Sequence, residues 1–67
     1  MVKCYSFEKG YDEVLKIILK STRDINRAAS LLDKLFLTGK LSVNGKIIVF
    51  NYVTMTICIR DAAKKLF

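Results

Sequence analysis

Apolar residues recur along this chain with changing periods, and each period predicts a different element. From Val2 to Phe7 they alternate loosely among strand-forming residues, which predicts a short first strand broken by Gly10. Tyr11, Val14, Leu15 and Ile18 then fall at helical spacing, so a helix is expected over 11–20. Asp12 and Glu13 would sit in its first turn, where negative charge suits the helix dipole. Asp12, Lys16 and Lys20 follow at i, i+4 on a solvated face, with one acid-to-lysine pair. Ser21-Thr22-Arg23-Asp24 ends this helix and opens the next, Ser21 and Asp24 having the spacing of a weak capping box.

The second helix has the clearest periodicity. Ile25, Ala28, Ala29, Leu32, Leu35 and Phe36 share one face at about 100° per residue, and Gly39 is a natural C-terminal stop. Leu41 to Phe50 then reads as a β-hairpin around Asn44-Gly45, the pair that supplies the two positive-φ residues of a type I′ turn. Residues 52–59 leave two readings open. Their Val, Thr and Ile content favours strand, with a bend at Asn51-Tyr52, and a helix from Val53 onward is the alternative. Arg60 to Phe67 reads as a short terminal helix capped by Asp61. The expectation is a single small α+β domain over residues 1–67, in the order strand-helix-helix-β-hairpin-short helix, because a chain this short has room for one core.

Composition narrows the functional classes. The longest apolar run, Ile47 to Ile59, is too short for a bilayer-spanning helix, which needs about 20 residues. The N-terminus lacks a continuous apolar signal stretch, so a cytoplasmic location without membrane contact is expected. Cys4 and Cys58 are too few for a disulfide scaffold; they are expected as reduced, buried core residues. With no staple in view, self-association as a homodimer becomes the expected source of added stability. The 67 residues contain no histidine, and glycine occurs only at 10, 39 and 45, so neither zinc-type ligation nor a phosphate-cradling glycine loop is available. The six carboxylates are dispersed. No catalytic residue, metal ligand or cofactor is therefore expected, and the chain is read as a non-enzyme.

Charge carries the functional reading. The net charge is +6, and residues 34–67 hold six Lys/Arg against Asp61 alone. A basic half favours nucleic acid or an acidic protein surface. On the second helix, Arg23, Arg27, Ser30 and Lys34 lie within about 60° of one another, opposite the apolar face. Such a stripe can lie along a DNA groove or a phosphate backbone. Lys40 and Lys46 flank the Asn44-Gly45 tip, and Lys64 and Lys65 add non-specific attraction. A basic-faced helix followed by a basic hairpin, over residues 22–50, resembles the recognition helix and wing of winged-helix DNA-binding domains. Residues 2–37, read as strand-helix-helix, look like a ribbon-helix-helix regulator, which implies an obligate dimer reading DNA with its strand; there Lys3, Tyr5 and Phe7 would share one side. The leading expectation is a dimeric regulator that binds duplex DNA. The rival is a small protein-binding inhibitor or adaptor, of a kind viruses and mobile elements carry. For it, Leu31 and Leu37, off the main apolar face, and Phe67 offer surplus apolar surface. Most of the seven aromatic residues should be core.

Overall fold

The computed structural model describes residues 2–62. The elements are β1 (Val2–Ser6), α1 (Phe7–Ser21), α2 (Ile25–Thr38), β2 (Lys40–Val43), β3 (Lys46–Asn51) and β4 (Thr56–Asp61). All strand pairs are antiparallel, in the order β1-β4-β3-β2, so the first strand closes on the last. The expected α+β arrangement of strand, two helices and hairpin is present, and β4 extends the hairpin into a three-stranded meander.

Both helices pack on one face of the sheet. Val14 and Ile18 of α1 and Ala28 and Leu35 of α2 meet Leu41, Val43, Ile48 and Ile57 of the strands in a single buried cluster. A cluster of rings lies against this core. Phe7 contacts Tyr11, Phe36 and Phe50, and Tyr11 stacks on Phe36 with centroids 6.1 Å apart. Tyr52, by contrast, is exposed on the β3–β4 loop.

Helix α1 begins four residues earlier than its apolar spacing predicts. Gly10 lies inside it and is buried, because the helix crosses β4 so closely that a Cβ at this position would stand 2.6 Å from Cβ of Ile57. Glu8, rather than Asp12 and Glu13, therefore occupies the first turn. Lys16 pairs with Glu13 one turn away, at 3.5 Å, in place of Asp12. Ser21 belongs to α1, and the cap of α2 is Asp24, whose carboxylate accepts from the Asn26 amide at 2.9 Å. Thr22 Oγ1 accepts from the Asp24 amide, so the three-residue link is held by its own side chains.

Gly39 ends α2 in the left-handed region at φ 79°, and its N–H reaches the Leu35 carbonyl, as the stop signal predicts. Asn44 and Gly45 both have positive φ, 52° and 73°, as a type I′ turn requires. The region 52–59 resolves as a turn followed by strand. Asn51 Oδ1 accepts from the amides of Val53 and Thr54, which folds the loop back, and β4 starts at Thr56. Strand β4 continues through Arg60 and Asp61, so those residues do not begin a terminal helix. Their pairing with Ile47 and Lys46 of β3 satisfies a backbone that the capping pattern alone would have assigned to a helix start. The remainder of the expected terminal helix, with Lys64, Lys65 and Phe67, lies outside the described residues.

Cys4 and Cys58 are directly opposite on β1 and β4 and form a disulfide. The expectation of two reduced core thiols is overturned. Both lie on the sheet face away from the helices, and Cys4 is exposed. A separation of 54 residues gives no local signal for the pairing; only the closure of β1 onto β4 brings the sulfurs together.

Candidate nucleic-acid interface

Helix α2 turns Ala28 and Leu35 into the core, with Leu31, Leu32 and Phe36 packed beside them. The 100° step then carries Arg27, Ser30 and Lys34 to the far side, and all three are exposed. Arg23, in the link before the helix, is exposed as well. Arg27, Ser30 and Lys34 therefore share one solvated flank of α2, whereas Arg23 lies outside the helical step that the sequence pattern assigned to it, because α2 starts only at Ile25 behind an extended Asp24 cap. Among the described residues, ion pairs engage Lys16 with Glu13 and Lys46 with Asp61, and none engages Arg23, Arg27 or Lys34, although Asp24 and Asp33 are sequence neighbours of Arg23 and Lys34.

The hairpin lysines do not join it. Lys46 pairs with Val43 and Asp61 in the register, which puts it on the helix-covered face, where its ammonium donates to the Asp61 carboxylate. Lys40 pairs with Val49 and points to the opposite face. One residue of parity separates basic positions that looked adjacent in sequence, because side chains alternate across a strand. The strand positions Lys3 and Tyr5 lie on the helix-covered face beside Ile59 and Ile57, whereas Phe7 is already in α1. Lys3, Tyr5, Glu13, Ile17, Lys46 and Asp61 border an open cleft of about 330 Å³. Arg60 lines it as well, so Lys3, Lys46 and Arg60 share the cleft with Glu13 and Asp61 and it offers no uniform field for an anion.

The expected apolar contact residues also divide. Leu31 packs against the core rather than standing clear of it. A helix lying beside a second helix on a sheet buries a wider stripe than a single line of contacts would give. Leu37 is 85% exposed, on the outer side of α2 next to Ser30 and Lys34. Sequence periodicity also assigns Ile25 to the buried face, yet it is exposed, because it sits at the first turn beyond the edge of the core.

The uncovered face of the sheet has its own composition. Its rows, read from the register, are Lys40-Val49-Cys58-Cys4, Ser42-Ile47-Arg60-Val2 and Asn51-Thr56-Ser6. Val2 is 55% and Val49 40% exposed there. Sequence reasoning missed this surface, although one signal was present: Ile47-Ile48-Val49-Phe50 does not alternate. Among the described residues no helix is long and apolar enough to cross a membrane. No known family matches the sequence, and no characterised protein or solved structure is significantly similar to it.

Proposed function

We propose that this protein binds duplex nucleic acid through the outer flank of α2, as a small DNA-binding regulator. The observation that carries the reading is the exposed flank of α2 with Arg27, Ser30 and Lys34, together with the exposed Arg23 of the preceding link, none of these cations ion-paired among the described residues. Two cations and a hydroxyl along one helix flank, with a third cation in the link before it, suit phosphate oxygens spaced along a groove, and such contacts supply affinity before they supply specificity. Lys40 and Lys46 take no part, since they leave the stripe for the two faces of the sheet. Association as a homodimer would use Leu37, whose apolar side chain stands beside the stripe, and would double the number of phosphates reached.

Binding to random-sequence duplex DNA, followed by fluorescence anisotropy across a salt series, tests the reading. With about three phosphates neutralised per chain, log K should fall against log salt with a slope of about −2.7, and about twice that for a dimer. Replacing Arg23, Arg27 and Lys34 together by Glu should abolish binding and leave the fold intact. Absence of binding at low salt would overturn the proposal.

The second reading, a protein-binding inhibitor or adaptor, is favoured by the exposed Leu37, Tyr52 and Val53. If function survives the triple charge reversal and fails on Leu37→Asp, the partner is a protein. A cytoplasmic setting accompanies the DNA reading. Cytosolic reductants would open an exposed disulfide there, so binding is to be measured on the disulfide and dithiol forms alike.

A further inference from the structure

Strands that bury both faces read as unbroken apolar runs, whereas a sheet with one wet face alternates. Of the two central strands β3 is of the first kind, and β4 is so only at Cys58, with Thr56 and Arg60 on the same face. β3 carries Ile47 and Val49 on one face and Ile48 and Phe50 on the other; β4 carries Cys58 between Ile57 and Ile59. Among the described residues, the helices cover the face with Ile48, Phe50, Ile57 and Ile59 and no element covers the other. On that open face Val49 stands beside the Cys4–Cys58 disulfide with Lys40 at the end of its row, and Arg60 stands between Ile47 and Val2 in the next row.

We infer that this open face is a docking surface for a partner protein whose contacting side is apolar and acidic. Charge decides the occupant. The rows of this face contain two cations and no carboxylate. A second copy stacked face to face would set Lys40 and Arg60 against their own kind with no acid to answer them, which disfavours self-association through this surface. A nucleic acid would satisfy the cations, but no aromatic ring stands on these rows for base stacking, and the apolar positions would meet a sugar-phosphate chain. Apolar side chains interspersed with Asp or Glu satisfy both the apolar positions and the cations beside them. The surface lies across the sheet from α2, so the inference stands independently of nucleic-acid binding.

The test uses the intact disulfide form of the full chain, labelled with ¹⁵N, and two synthetic amphipathic peptides of equal leucine content, one bearing Glu and the other Lys on its polar side. The Glu peptide should shift the amides of Lys40, Ile47, Val49 and Arg60 saturably, and the Lys peptide should not. Val49→Glu and Lys40→Glu should each weaken the Glu peptide about tenfold or more. Arg27→Glu, which changes net charge as much as Lys40→Glu does, should leave it unchanged. Equal binding of both peptides, shifts centred on α2, or equal weakening by Arg27→Glu would overturn the proposal. So would concentration-dependent shifts of the same four amides without peptide, which would mark a second copy as the occupant. Displacement of the Glu peptide from these amides by duplex DNA would identify nucleic acid instead.

Discussion

Gly10 shows how one residue sets the distance between layers. Its missing side chain lets α1 descend onto β4, and the nearest atom a substituent would meet is Cβ of Ile57, which every residue but glycine possesses. Gly10→Ala should therefore cost roughly 1–3 kcal/mol, and combining it with Ile57→Val should recover little, since valine keeps that atom. Urea unfolding of the single and double variants, at unchanged slope, checks both statements. Gly45 is needed for a different reason. Nothing lies within 4 Å of its would-be Cβ, and only its positive φ of 73° resists a side chain, so Gly45→Ala should cost about 1–2 kcal/mol through backbone conformation alone. At Leu37 the expectation is the reverse. With its side chain in solvent, Leu37→Asp should change stability by no more than about 0.5 kcal/mol. Any loss of self-association or partner binding in that variant is then not a folding effect.

Among the elements, β1 depends most on its covalent tie. It is an edge strand five residues long, hydrogen-bonded on one side to β4. A cross-link closing a loop of 54 residues removes unfolded-state entropy worth about 4 kcal/mol in the chain-entropy model. That is comparable with the roughly 3–5 kcal/mol a domain of this size holds in total. Cys4→Ser, or reduction by a dithiol, should thus release β1 and lower overall stability severely. Hydrogen exchange with and without dithiothreitol reads this directly: amides of Val2–Ser6 should lose protection before those of β3. Equal protection of the two strands after reduction would show that the disulfide is not the staple. This element also marks where the sequence stopped being legible. α2 and the Asn44-Gly45 hairpin were readable because their signals are local: a 3.6-residue period, a glycine cap and a turn dipeptide. The start of α1 was hidden because Gly10 has a packing role that looks like a breaker in sequence. The Cys4–Cys58 bond and the end of β4 depend on pairings that span most of the chain. Within the candidate site, Arg27, Ser30 and Lys34 were legible as one helical flank, while Arg23 was placed one residue too far into a helix whose cap is Asp24. Lys40 and Lys46 were misplaced because adjacency at a turn says nothing about the face until the register is known.

Taken whole, the molecule is a two-layer sandwich with a functional surface proposed on each side. The helical layer presents the cations of α2 and of the link before it, and the sheet face away from the helices presents Val2, Ile47 and Val49 with Lys40 and Arg60 among them. Two anionic partners on one small protein would ordinarily compete. Here the core and the sheet lie between the two surfaces, and sites that share no residues are expected to act additively. Saturating duplex DNA should therefore change the affinity of the acidic peptide by no more than about twofold, a small residue of like-charge repulsion screened at physiological salt. Arg27→Glu should weaken DNA and spare the peptide, and Val49→Glu should do the opposite. The double variant should show the two losses combined, with no coupling beyond about 0.5 kcal/mol. Competition between DNA and peptide, or coupled losses in the double variant, would mean that both ligands read one basic surface. A single charge-driven site would then have to replace the two opposed faces. Independent binding would make the protein a bridge, holding a nucleic acid on its helices and an acidic partner on its sheet.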